Sequence, residues 1–353
     1  MNIINGYLCR TILSSTGLVL LVLLSLGIFI EFVGQLDDLG EGTYTLFTVV
    51  QYILLKIPHL ASGLLPVSVL LGSLLGLGAL AAGSELIIMQ ASGVSARRLA
   101  GSVALTGIAI ALVGGLIAEF LAPEMYLYAR QLRAVAKSGQ ADLAGSSTWV
   151  RDGSTIYNLR PSVDAVDYGG VYVFRMAGSG SLASIGRADS LETADDQWQL
   201  DNYQESVLSR DGVTLQTELA VPGSIGQLGD LLAITAVKDS SLTGVELYNY
   251  VRYLKRNGLD AERYEIAFWG RIAQIAGIAV MCVLALPFVF GSLRTTGAGA
   301  RMIVGVLIGV GYFLASRTMA DSAAVFDLSP VVVAWLPTLL LALGTYIALR
   351  RVA

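Results

Sequence analysis

Side chains suited to chemistry are few in this sequence and lie far apart. There is one histidine, His59, inside an apolar stretch, where a lone imidazole more often packs or reaches for an interface than acts as a general base. The two cysteines, Cys9 and Cys282, lie before one apolar run and within another, so no disulfide is expected. No Cys/His group has metal-ligand spacing. The four lysines, Lys56, Lys137, Lys238 and Lys255, each follow a residue other than glycine, which excludes a Walker A loop. The chain is therefore expected to hold no catalytic site, no metal and no cofactor of its own.

The remaining ionisable residues follow a pattern. At about 1.5 Å per helical residue, Glu31, Lys56, His59, Glu119, Arg271 and Arg317 gather near the same end of their apolar segments, and the segment centres are nearly free of charge. This argues against a proton or sodium relay at the bilayer midplane. It fits either snorkelling to the interface or a polar rim around a site at the outer leaflet.

One short segment stands apart. Gly83-Ser84-Glu85-Leu86-Ile87-Ile88-Met89-Gln90-Ala91-Ser92-Gly93 offers Ser84 as an N-cap and Gly93 as a C-terminal stop. It is expected to form a helix of about nine residues over 84–93, with Ile88 and Met89 on an apolar exposed face one turn from Glu85. Such a face wants a partner groove. Glu85 either pairs with a partner protein or simply favours the helix dipole.

The elements that must position these residues are set by composition. Of 353 residues, 54% are hydrophobic and 14% charged, against about 25% charged in soluble domains. A net charge of −4 gives no case for a nucleic-acid partner. Six stretches reach the roughly 20 apolar residues of a membrane helix: 11–33, 47–82, 100–121, 266–291, 302–320 and 331–349. The first is too long for a signal-peptide core and no cleavage site follows it. Pro58 and Pro66 are expected to bend the second. The pairs Gly72/Gly76 and Gly305/Gly309 allow close helix packing.

Lysine and arginine counts orient the spans. With a cytoplasmic N-terminus, the inner segments hold Arg10, Arg97, Arg98, Arg294, Arg301, Arg350 and Arg351. The short outer loops, 34–46 and 321–330, hold Asp37, Asp38, Glu41, Asp321 and Asp327 and no Lys or Arg. Residues 123–265 are then periplasmic. They contain short strands at 148–160 around an Asp152-Gly153 turn, at Val171–Phe174, near Trp198 and Leu200, and at 207–215 around Asp211-Gly212. Regular short strands imply a sandwich or jelly roll. Helix returns at 244–265, with Leu247, Val251 and Leu254 at helical spacing. The expected fold is an α-helical membrane protein with six transmembrane helices, three plus three, and an inserted all-β, jelly-roll-like periplasmic domain. Its divisions are 1–122, 123–265 and 266–353. The cytoplasmic loops are too short for a sensor's signalling domain, and a lipid-modifying enzyme lacks a catalytic constellation.

Several motifs in sequence order resemble the LptF/LptG lipopolysaccharide export permease family. They are Leu65-Pro66, Leu70-Leu71-Gly72, Leu75-Gly76-Leu77-Gly78, Ser84-Glu85-Leu86, Met89, Ala91 and Gly93. Tyr250-Val251-Arg252-Tyr253-Leu254-Lys255, Gly258, Asp260, Arg263-Tyr264, Trp269, Arg271 and Phe290-Gly291-Ser292-Leu293-Arg294 are more similar to its LptG branch. The resemblance covers essentially the whole chain. It implies an inner-membrane heterodimer with LptF above two copies of an ATPase, LptB, which binds the ATP and Mg. It implies lipopolysaccharide entry from the outer leaflet through gates at spans one and five, an LptC helix at one gate, and transfer to LptC and then LptA. The helix bearing Glu85, Leu86, Ile88 and Met89 would couple to the ATPase. Arg130, Arg133, Arg317, His59 and Lys56 would meet lipopolysaccharide phosphates. Arg271, by its place near the outer boundary alone, is expected instead to hold span four against the β domain. Glu31, Asp37 and Asp38 depart from the basic span-one positions of well-known relatives, so phosphate binding there is not expected without a bridging cation.

Overall fold

The computed structural model describes residues 2–138, 148–161, 168–178, 181–194, 197–209, 212–224, 242–290, 298–326 and 328–352. Helix α1 (Asn2–Gln35) ends in a 3₁₀ turn (Leu36–Asp38). Then come α2 (Leu46–Ala82), the short α3 (Glu85–Ala91) and α4 (Ala96–Leu116). A π-helical segment (Ile117–Leu121) joins α4 to α5 (Ala122–Ser138). Strands β1 (Thr148–Asp152), β2 (Thr155–Pro161), β3 (Tyr168–Met176), β4 (Leu182–Ala194), β5 (Gln197–Ser209) and β6 (Gly212–Ser224) follow. The chain closes with α6 (Gly244–Arg256), α7 (Glu262–Phe290), α8 (Ala298–Phe326) and α9 (Pro330–Val352).

Among the described residues, six helical runs are long and apolar enough to cross a membrane: Ile3–Asp38, Leu46–Ala82, Arg97–Lys137, Glu262–Phe290, Met302–Ser322 and Pro330–Arg351. The third outruns its sequence expectation, because α4 continues through the π segment into α5 rather than stopping near 121. Pro123 accounts for the irregularity. It has no N–H to give the preceding turn, and its ring would press on that turn's carbonyls, which a wider π turn relieves.

The chain divides into two compact units. One holds residues 1–37, 53–126 and 262–353. Its core joins Leu8 and Ile12 of α1, Val69, Leu70, Leu74 and Leu77 of α2, Leu99 and Val103 of α4, and Met281 and Cys282 of α7. Glycines set the approach. A Cβ on Gly72 would collide with the Thr16 backbone, and one on Gly76 would lie 2.8 Å from Ser15 Oγ. On the other side, Gly305 and Gly309 of α8 face Leu71, Leu74 and Val67 of α2. Both small-residue pairs thus pack α2 between α1 and α8. Helix α2 runs unbroken through Pro58 and Pro66. Pro66 withdraws the N–H that Ser62 O would accept, and Gln274 Nε2 of α7 supplies one at 3.4 Å instead.

The other unit holds residues 38–52 and 127–261. Its strands form one antiparallel sheet in the order β1-β2-β3-β4-β5-β6. Among the described strands the order is consecutive, an all-β insertion in the middle of the chain as expected. Asp152 pairs with Thr155 around Gly153, whose φ of +56° suits glycine in a two-residue hairpin. Ser209 pairs with Gly212 across the second expected turn, whose residues 210 and 211 lie outside the described set. Val150, Leu159, Val171, Val173 and Ala188 are buried, as is Tyr203, whose ring covers Gly186. Helix α6 opens with a capping box between Thr243 and Glu246 and buries Leu247, Val251 and Leu254. It stops at Arg256, and Gly258 at φ +64° turns the chain toward α7, so the helix expected over 244–265 is two helices.

Candidate functional site

Helix α3 is shorter than its sequence suggested and is held differently. Ser84 has φ +61° and makes no side-chain cap, so it is a left-handed joint after α2 rather than an N-cap. Gly93, at φ +95°, donates to Gln90 O at 3.0 Å, and Val94 N donates to Met89 O at 3.1 Å, the bonding of a Schellman stop. Leu86 is buried and Met89 packs beside it on the helical core, because residues three apart share a helix face. Ile88, 64% exposed, points outward with Ile87, so the outer apolar pair is Ile87 and Ile88 rather than Ile88 and Met89. Glu85 accepts a hydrogen bond from the Tyr7 hydroxyl at 2.8 Å, a partner 78 residues away that no sequence spacing could reveal.

Most of the candidate basic side chains are paired within the chain, each inside its own unit. In the helical unit, Lys56 Nζ lies 2.6 Å from Glu31 Oε1 and 5.8 Å from the centre of the Tyr126 ring. His59 stacks on the same ring at 4.5 Å, so Tyr126 brings Lys56 and His59 together. Arg271 meets Glu119 of the π segment, on the third span, at 3.9 Å. Arg317 meets Asp321 one turn on, also at 3.9 Å, with both side chains largely exposed.

In the second unit, Arg133 donates to Asp38 and lies 5.7 Å over the Tyr52 ring. Lys137, one turn further along α5, bridges Asp38 at 2.9 Å and Glu41 at 2.7 Å. Sequence reasoning noted these acids but missed the match. Two cations spaced i, i+4 and two acids spaced i, i+3 were the available signal. Arg130, half-buried on α5, has no carboxylate within ion-pair distance among the described residues. Another ionic group lies within the sheet, where Arg175 grips both Glu205 oxygens at 2.5 and 2.7 Å and Ser184 donates to the same carboxylate. Burial pushes the neighbouring Tyr203 phenol up to about 12. Among the described residues, no three His, Cys, Asp or Glu side chains converge on a metal position.

The structure thus offers an outward apolar pair on a short inter-span helix and, in each unit separately, basic side chains matched by carboxylates. The family model described as lipopolysaccharide export system permease LptF/LptG matches residues 6–351. Similar proteins include lipopolysaccharide export system permease protein LptG of Haemophilus influenzae, 29% identical over 96% of each chain. LptG of Escherichia coli K12 is 32% identical over 95% of this chain and 94% of its own. LptF of Escherichia coli K12 is 25% identical over 94% of this chain and 90% of its own.

Proposed function

The chain belongs to the LptF/LptG family of lipopolysaccharide export permeases, a multi-pass inner-membrane family, and we propose that it is the LptG-type membrane subunit of an ATP-binding-cassette exporter. In this reading it pairs with an LptF subunit over two LptB ATPases, draws lipopolysaccharide from the outer leaflet, and passes it through LptC toward LptA. ATP and Mg are bound by the ATPase. The termini, α3 and residues 292–301 are cytoplasmic and the β domain is periplasmic. Helix α3 couples to the ATPase through Ile87, Ile88 and Glu85, and Arg130 with its neighbours on α5 meets the saccharide headgroup.

The observation that carries the reading is the family match over residues 6–351, which takes in both helical halves, the inserted β domain and α3. The exposed Ile87–Ile88 pair, on a helix anchored from beneath by Leu86, supports a docking role for α3. Purification of the chain from its own membranes tests it. A second six-span subunit and an ATPase are expected to copurify, and the complex to release lipopolysaccharide from proteoliposomes only with ATP. A complex without an ATPase, or release indifferent to ATP, sinks the reading. A cysteine at the exposed Ser209 is expected to react with an impermeant reagent from the periplasmic side; Ser147, the companion position, lies outside the described residues.

A further inference from the structure

We propose that the carboxylates paired with basic side chains in each unit make this chain select a lightly phosphorylated glycolipid headgroup over a heavily phosphorylated one. The inference rests on the export reading above and narrows its substrate.

Each unit carries the case separately. On α5, Asp38 and Glu41 match Arg133 and Lys137, two acids to two cations. The acids are seated by backbone contacts rather than by a passing side-chain encounter. Gly42, at φ +55°, presses on the last turn of α5 so closely that a Cβ would lie 2.5 Å from Lys137 O. Thr43 donates to Ala136 O twice, from its backbone N at 2.7 Å and its hydroxyl at 3.1 Å. The loop that carries Asp38 and Glu41 thus closes the end of the helix that carries Arg133 and Lys137. In the helical unit, Glu31, Glu119 and Asp321 answer Lys56, Arg271 and Arg317. Among the described residues, Arg130 is the candidate arginine without an ion pair, and exposed Asp37 has none either.

A free guanidinium gives a phosphate two charge-assisted hydrogen bonds. A guanidinium already held by a seated carboxylate offers less, because an arriving phosphate must displace that carboxylate or sit beside a like charge. Sugar hydroxyls face no such conflict, since they donate to carboxylates as readily as they accept from arginine.

The test is competitive binding of two probes to the purified complex in nanodiscs: bisphosphoryl lipid A, and the same acylated disaccharide with both phosphates removed. Wild type is expected to bind the phosphate-free probe at least as tightly, with little dependence on salt. Asp38→Asn combined with Glu41→Gln is expected to shift the ratio toward the bisphosphoryl probe by about fivefold or more. A wild-type preference for the bisphosphoryl probe of about tenfold, lost at high salt, overturns the inference. So does a ratio unchanged in the double variant. Should that variant fail to assemble, the wild-type ratio and its salt dependence decide alone. If neither probe binds, the export reading itself fails and this inference falls with it.

Discussion

The Tyr7 hydroxyl donates to Glu85 Oε2 at 2.8 Å, joining the start of the first span to the start of α3. The same first span is pressed against α2 at Gly72 and Gly76. A displacement of α3 by a docked ATPase would therefore reach α1 both through this bond and through α2. Tyr7→Phe removes one solvent-exposed hydrogen bond to a charged group, too little to unfold the protein. Assembly should survive, while lipid released per ATP hydrolysed falls several-fold. Unchanged coupling in Tyr7→Phe would leave Glu85 with a local role only.

The two faces of α3 separate folding from docking. Leu86 is 2% exposed, so Leu86→Ala should cost about 2–4 kcal/mol and lower the melting temperature of the solubilised protein. Ile88→Ala should cost less than about 0.5 kcal/mol and leave melting intact. It should nonetheless reduce copurified ATPase. Equal ATPase recovery with wild type would mean that the outward apolar pair is not the docking face.

The glycine contacts differ in kind. A Cβ at Gly72 meets the Thr16 backbone, which cannot move without shifting a helix, whereas a Cβ at Gly305 meets the ends of Leu71 and Leu74, which can rotate. Gly72→Ala should destabilise by about 1–3 kcal/mol, and Gly305→Ala by clearly less. Thermal melting of the two variants side by side checks the order.

Tyr253 closes the free edge of β1. Its hydroxyl accepts from Arg151 N at 2.8 Å and donates to Arg151 O at 2.6 Å, and Asn257 Oδ1 takes the Gly153 N–H at 2.9 Å. An edge strand left open invites unwanted pairing. Tyr253→Phe should lose about 1–2 kcal/mol and raise hydrogen exchange at the Arg151 amide, with the β3–β4 amides unaffected.

Tyr203 gives the β domain an alkaline limit. Its folded pKa is about 12, against 10.0 unperturbed, so the unfolded chain loses this proton first. The associated stability is whole below pH 10 and is lost as pH rises toward 12. It amounts to at most about 2–3 kcal/mol. Tyr203→Phe should flatten the fall in melting temperature across that interval.

Sequence by itself determined the spans, the three-plus-three division, the hairpin at Asp152-Gly153 and the helix-packing glycines. Each is a local consequence of solvent or sterics. A bilayer demands about 20 apolar residues in one run, a two-residue hairpin demands positive φ, and close helices demand a missing Cβ. Tertiary structure decided which side of α3 faces inward, because Leu86 and Met89 are no more apolar than Ile87 and Ile88 and only the core beside them breaks the tie. It also decided the character of the rim. A sequence shows that Lys56, Arg133 and Lys137 are basic. Their value to a ligand depends on Glu31, Asp38 and Glu41 standing within ion-pair distance across gaps of 25 to 99 residues, since electrostatic energy follows separation in space and not along the chain.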